Sequence, residues 1–467
     1  MELVALIPLV ILLGLVALRR PLIEGAIAFF IATIIIAVYS WQMHASALTQ
    51  SLVKGGFIAF DLALIVTGAL LFMSLLRRSG LLESLTRHLS RISPDLRVQT
   101  IIIAWLFSGF IEGVAGFGTP AAIVAPLLIG LGYTPLGAIT IALVGNSAAV
   151  AFGALGTPIT IGLAGADVAA TIGTLNLIGI IVPVLVLALI SREGKGAFMP
   201  ALPFALYAGA AFLIPAMIAS RYGPAYPSLV GAGAGLVLVV IAARFGLFMP
   251  RDTTRAKKKK KPEHTIGASI TPYLIIIGVL IAQRFLPAVM IELAGVSHAL
   301  PLTNPGIAFF IASALLIARA TPRRTDVSNA ALPAILILLL ASAVQVMIRS
   351  SENALALPSM TETLAQLSSA LPLSITAPLL GALGAFFAGS ATVSNLLFAP
   401  VHTAAGGGSL ALAGQTLGAS YANMLSLQNI VAVQATVNTH GLERSILAVT
   451  IIPAMILITL LIVVSLL

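Results

Sequence analysis

The chain has 467 residues, 59% of them hydrophobic and only 9% charged, with a net charge of +10. Soluble proteins carry about 25% charged residues, so this composition excludes a water-exposed globule. The absence of cysteine excludes disulfide frameworks, thiolate metal sites and cysteine nucleophiles. The six histidines never pair at helical ligand spacing, so neither a metal site nor a cofactor is expected. The basic excess is local: seven of the 25 basic residues lie between Arg251 and Lys261. That run reads as a cytoplasmic loop on an anionic leaflet, with no nucleic-acid partner.

In chain order, apolar runs long enough to cross ~30 Å of hydrocarbon predict spans at 3–18, 22–40, 55–76, 135–165, 170–190, 201–220 and 225–245. After the lysine run come 269–286, 304–320, 330–349, 411–435 and 447–467. The opening MELVALIPLV reads as a first span and not as a removed leader. Segment 80–96 alternates basic and apolar residues at helical spacing and reads as an interfacial helix. The ~10-residue alternating strands of a membrane β-barrel are absent.

Stretches 99–132 and 373–402 are too long for one span and are interrupted near Gly113–Pro120 and Ala388–Asn395. Glycine, threonine and proline there free backbone groups, which membrane depth tolerates only beside a polar cavity. Both stretches read as re-entrant helical hairpins. Counting them as no crossing yields an all-α polytopic membrane protein with about 12 crossings plus 2 hairpins and both termini outside. Twenty-one of the 25 basic residues then face the cytoplasm, as the positive-inside rule asks. The expected location is the cell inner (plasma) membrane.

The chain also repeats itself. Pro21-Leu22 followed by Ile27–Ala32 recurs at Pro301-Leu302 and Ile307–Ala312, an offset of 280. At an offset of 273, Gly116 meets Gly389, Thr119 meets Thr392, Gly145 meets Gly418 and Ser147 meets Ser420. An odd number of crossings separates the copies, so the repeats are inverted, the pattern of secondary transporters with a midplane site. The span after each hairpin is broken as well, through Gly153–Pro158 and Ser426–Asn429. The expected division is 1–98 first-repeat scaffold, 99–165 first hairpin and broken helix, 166–250 connecting helices and 251–268 basic loop. Then follow 269–372 second-repeat scaffold, 373–435 second hairpin and broken helix, and 436–467 a last helix. The two hairpin segments form the moving unit of an elevator-like transporter, and the scaffold is expected to form a homodimer.

Two of the 15 acidic residues lie inside apolar segments, Asp61 and Glu112. A carboxyl at such depth costs ~2.5 kcal/mol or more and is usually functional or paired. With no lysine or arginine mid-membrane, either suits a group that binds and releases a proton, Glu112 more so because it adjoins the first break. The plainer reading is a protonated carboxyl bonded to a neighbouring helix. An anion at the midplane must then be held by helix N-termini and polar side chains. Gly116, Gly118, Thr119, Asn146, Ser147, Thr157, Ser390, Thr392, Ser394, Asn395, Gln428 and Asn429 stand at the four breaks for that task. Each alone is as readily a helix cap or interhelical bond; together at symmetric breaks they point to a site. His402 and His440 read as interfacial.

SGFIEGVAGFGTPAAIVAPLL, residues 108–128, closely resembles the signature of the lactate permease family. AGSATVSNLLFAP (388–400) and SLQNIVAVQATV (426–437) are similar to its second-repeat segments. The resemblance implies proton-coupled symport of L-lactate and related 2-hydroxy monocarboxylates such as glycolate. It also implies kinship with the ion transporter superfamily, whose members carry paired hairpins and are thought to work as elevators. Two departures stand out: Ala391 replaces the asparagine of the family's GSNTVSN pattern, and the chain is shorter than many members. The alternative is a sodium- or proton-coupled dicarboxylate transporter of the same superfamily. An intramembrane hydrolase would need a serine–histidine or paired-aspartate set that is missing, so no enzyme is expected.

Overall fold

The computed structural model describes residues 2–467 apart from 19, 90, 117, 255–260, 284, 288, 300, 319, 322–330 and 369–370. Most of the lysine run, together with Arg19, Arg284, Arg319, Arg323, Arg324 and Phe117, lies outside the described residues.

Helices α1 (Glu2–Ala17), α2 (Leu22–Ile35, prolonged by a wide turn to Ser40) and α3 (Ala45–Arg78) open the chain. Short α4 (Leu81–Leu89) follows and buries Leu81, Leu82, Leu85 and Leu89 along one side, as the spacing predicts. Next come α5 (Leu96–Ala115), α6 (Thr119–Gly130), α7 (Pro135–Asn146), α8 (Gly153–Thr160), α9 (Ala169–Arg192), α10 (Leu202–Ser220) and α11 (Pro227–Arg244). The second half holds α12 (Ile266–Gln283), α13 (Gly306–Ile317), α14 (Ala331–Arg349) and α15 (Met360–Ser368). It ends with α16 (Leu373–Ala388), α17 (Ala391–Ala404), α18 (Ser409–Ala422), α19 (Leu427–Thr436) and α20 (Glu443–Leu466). Among the described residues, nine helical stretches are long and apolar enough to cross a membrane. The protein is a helical, polytopic membrane protein.

Two departures from expectation are local. Helix α3 begins at Ala45, ten residues before the predicted span at 55. Its 34 residues run about 51 Å at 1.5 Å per residue, so part of it rises beyond the hydrocarbon. A hairpin of β1 (Met290–Leu293) and β2 (Val296–Ala299) occupies what read as a loop. Ala294 and Gly295, both left-handed (φ 52° and 76°), make its two-residue turn.

Packing follows two groups. In one, α3 lies between α13 and α14, α14 also packs on α2, α1 on α15, and α12 on α4. In the other, α5 packs on α11, α16 on α18, α9 on α18, and α20 on α7. Close approach sets the geometry within the second group. A Cβ on Gly145 would lie 2.2 Å from the Ala104 carbonyl oxygen, and one on Gly418 2.1 Å from that of Pro378. Helix α7 thus presses backbone to backbone on α5, as α18 does on α16.

The first hairpin reverses at Gly116–Gly118, where Gly118 is left-handed (φ 78°). Its two ends meet: the Thr100 and Tyr133 hydroxyls are 2.8 Å apart. Beside them, buried Arg97 donates to Asp95 (2.8 Å), Asp252 (3.0 Å) and the Ala197 carbonyl (2.7 Å). Glu193 accepts from the Thr134 hydroxyl at 2.9 Å. The base of the hairpin, the turn after α9 and the residues before the lysine run therefore share one end of the protein. The second hairpin reverses at left-handed Gly389 (φ 65°). Ser390 then caps α17 by accepting from the Val393 amide.

Candidate functional site

The two reversals and the two broken helical stretches that follow them converge on one small cavity. The first reversal contributes Gly116 and Gly118, the second Gly389, Ser390, Ala391 and Thr392. The first broken stretch (α7–α8) contributes Val150, Gly153, Ala154, Thr157 and Pro158, and the second (α18–α19) Asn423. Glu112, one turn below the first reversal, completes the wall and is the one ionisable side chain on it among the described residues.

Backbone strain marks the first broken stretch. After Phe152 the chain takes three successive left-handed residues, Ala154 (φ 42°), Leu155 (φ 57°) and Gly156 (φ 79°). Ala154 and Leu155 each cost on the order of 1–2 kcal/mol there, and such strain gathers at functional sites. The second broken stretch, α18–α19, breaks more gently: extended Ser426 caps α19 by accepting from the Asn429 amide.

Glu112 is buried and its two oxygens differ. Oε2 accepts from Asn146 Nδ2 at 2.7 Å, while Asn146 Oδ1 accepts from the Ser108 hydroxyl at 3.0 Å. Oε1 faces the cavity between two glycines. A Cβ on Gly116 or Gly153 would come within 2.6 or 2.2 Å of it, so the carboxyl reaches the cavity because both positions lack a side chain.

Of the residues predicted to bind substrate, Gly116, Gly118, Thr157, Ser390 and Thr392 line the cavity. The Thr392 hydroxyl donates to that of Thr157 at 3.1 Å, joining the second hairpin to the first broken stretch. Asn429 donates to the Gly389 carbonyl (3.2 Å) and to Asn423 Oδ1 (3.0 Å). Its own Oδ1 lies 3.2 Å from where a Gly118 Cβ would stand, so it touches both reversals. Thr119 turns back, donating to the Gly116 carbonyl at 2.9 Å and also to that of Ala115.

The other predicted residues frame the site. Asn146 stands behind Glu112. Ser147 offers its carbonyl to the Ser420 hydroxyl at 2.6 Å. Ser394 donates to the Gly381 carbonyl and Asn395 to that of Pro158. Gln428 is exposed. Val150, Gly153, Ala154, Pro158, Gly389, Ala391 and Asn423 were not predicted. The offset of 273 that pairs Gly116 with Gly389 also pairs Gly118 with Ala391 and Val150 with Asn423, so the signal for several was present.

Asp61 belongs elsewhere and has partners. His298 Nε2 of β2 lies 3.2 Å from its Oδ2, and Asn304 Nδ2 donates to its Oδ1 at 3.2 Å. The His298 ring stacks on Phe57 at 4.4 Å. The unexpected strands supply this partner. His402 is buried, not interfacial as predicted, because its Nε2 pairs with Gln415 Oε1 at 3.0 Å inside the second hairpin block.

The family model described as L-lactate permease matches residues 1–298 and 292–467. The chain belongs to the L-lactate permease family. Membership makes it a transporter and not an enzyme. A Haemophilus influenzae protein is 29% identical over 511 residues, covering 97% of this chain and 95% of its own. The L-lactate permease of Streptococcus iniae is 29% identical over 448 residues, 86% of this chain and 90% of that protein. Glycolate permease GlcA of Escherichia coli is 34% identical over 266 residues, 54% of this chain and 46% of the relative. Ala391, where the chain departs from the GSNTVSN pattern, is thus a cavity residue of a permease.

Proposed function

We propose that the chain imports L-lactate and related 2-hydroxy monocarboxylates such as glycolate together with a proton across the plasma membrane. The observation that carries this reading is the cavity: among the described residues it has one buried carboxyl, no cationic side chain, and helix N-termini at its rim. Helix N-termini hold anions through free amides and the helix dipole. The substrate carboxylate would sit between Gly118-Thr119 and Ser390–Thr392, with Thr157 beside it and Asn429 tying the two reversals together. Glu112 in its charged form repels a bound anion; protonated, it does not. Proton and anion therefore favour each other's binding, and by the same factor.

The test is uptake of labelled lactate into proteoliposomes with and without an inward proton gradient. Accumulation above the external concentration that collapses with a protonophore is expected. Uptake indifferent to the gradient would overturn the coupling.

The architecture proposed with it is a pair of inverted repeats, α1–α9 and α12–α20, with α10 and α11 between them. What supports it is that contacts recur with partners exchanged. Helix α3 meets α13 as α14 meets α2; α1 meets α15 as α12 meets α4; α8 meets α17 as α19 meets α6. A two-fold axis brings equivalent residues face to face, and the bonded pair Ser147 and Ser420 stand 273 apart. The hairpin segments, with α10 and α11 packed on them, form the moving unit and α1–α4 with α12–α15 the scaffold. Both termini then face outside. In this cysteine-free chain, Thr134→Cys is expected to label from the cytoplasm alone and Ala404→Cys from outside alone. Labelling of both from one side would remove the inversion.

A further inference from the structure

The cavity wall is polar on one side and apolar on the other, and the repeat explains how. Val150 and Ala391, both on the wall, belong to a separate buried apolar cluster with Ala385 and Ala419. At the 273-residue offset, Ala385 stands where the first repeat has Glu112, Ala419 where it has Asn146, and Ala391 where it has Gly118. Val150 in turn corresponds to Asn423 of the second repeat. The bonded pair Glu112 and Asn146 therefore has two alanines as its counterpart, with Val150 packed against them.

We infer that this apolar half receives the alkyl substituent on C2 of the 2-hydroxy acid, and that Val150 sets how long that substituent can be. The inference rests on the monocarboxylate reading above and assigns the part of the substrate that reading leaves unplaced. The carboxylate has amide donors at the helix N-termini, and the substrate hydroxyl can donate to the Thr392 oxygen on the wall. The remaining group on C2 is hydrogen in glycolate, methyl in lactate and ethyl in 2-hydroxybutyrate. Against Val150 and Ala391, a methyl group replaces water with carbon contacts and is worth roughly 10- to 200-fold in selectivity. A second carboxylate in the same place would face alanine and valine with no partner, which is costly. The apolar half thus also excludes dicarboxylates.

The experiment is competition against labelled lactate uptake in proteoliposomes by unlabelled glycolate, lactate and 2-hydroxybutyrate, for the wild-type protein and two variants. Val150→Ala lengthens the pocket, and 2-hydroxybutyrate is expected to gain about tenfold over glycolate. Val150→Thr keeps the shape but adds a hydroxyl, and lactate is expected to lose about tenfold relative to glycolate. Thermal melts confirm that each variant is folded. Folded variants that keep the wild-type ranking and ratios of the three acids would overturn the assignment. Wild-type protein that takes up none of the three would overturn the monocarboxylate reading and this one with it. Wild-type uptake with unchanged ratios in the variants removes the alkyl corner alone.

Discussion

Glu112→Gln protein is expected to bind lactate and exchange it across the membrane, yet never to concentrate it. The amide has the shape of the protonated carboxyl, and Asn146 can still donate to its oxygen from 2.7 Å away. The gap left by Gly116 and Gly153 accepts the amide nitrogen as it accepts Oε1. What is lost is the proton. For one proton carried per anion, each pH unit of gradient supports about a tenfold accumulation, since a unit is worth about 1.36 kcal/mol. The variant should therefore stop at equal concentrations inside and out. Its lactate affinity should also become nearly independent of pH, because the like-charge repulsion that weakens wild-type binding at high pH is gone. Counterflow of labelled lactate measures exchange, and uptake on an imposed gradient measures accumulation. A Glu112→Gln protein that still accumulates lactate with the wild-type pH profile would make Glu112 structural. Asp61→Asn is the control: with His298 and Asn304 as partners and no place on the cavity wall, Asp61 should leave coupling intact.

The large features were legible because they rest on composition and spacing. Apolar runs of span length place nearly every long helix, and the glycine, threonine and proline runs fall where the chain reverses. The two breaks in the crossings were legible for the same reason, although the left-handed turn at Ala154 and Leu155 has no residue-type signature, since only Gly156 is a glycine. The β-hairpin escaped because its turn is Ala294-Gly295 and not the Asn-Gly or Asp-Gly that announces such turns, and because its strands are too short to alternate visibly. With it went the partner of Asp61. His402 was misjudged because distance from the nearest helix end says nothing of what lies beside it; Gln415, from a neighbouring helix, does. Within the site, residue type separated polar from apolar correctly but not first contact from support. Thr392 and Asn395 look alike in the sequence, yet one lines the cavity and the other bonds the Pro158 carbonyl.

Asn146 is the sharpest case of that distinction, and its replacement is expected to move the pH dependence of transport instead of abolishing substrate binding. The sequence alone offers it as an anion ligand. In the structure its amide is committed on both sides, with Oδ1 accepting from Ser108 and Nδ2 donating to Glu112 Oε2. The charged Glu112 carboxylate accepts only, so it selects the orientation in which Nδ2 faces it and Oδ1 turns to the Ser108 hydroxyl. In that orientation Nδ2 donates to the carboxyl and favours its charged form. Asn146→Leu keeps the bulk and removes the donor. The charged form then loses a hydrogen bond worth about 1.5–3 kcal/mol, so the proton is held to higher pH. At about 1.36 kcal/mol per unit, the pH at which uptake falls to half should rise by roughly one to two units. The double variant Asn146→Leu with Glu112→Gln should show no further change over Glu112→Gln alone, since the group that Asn146 acts through is gone. A weakened lactate affinity at every pH with the midpoint unmoved would return Asn146 to the role of substrate ligand.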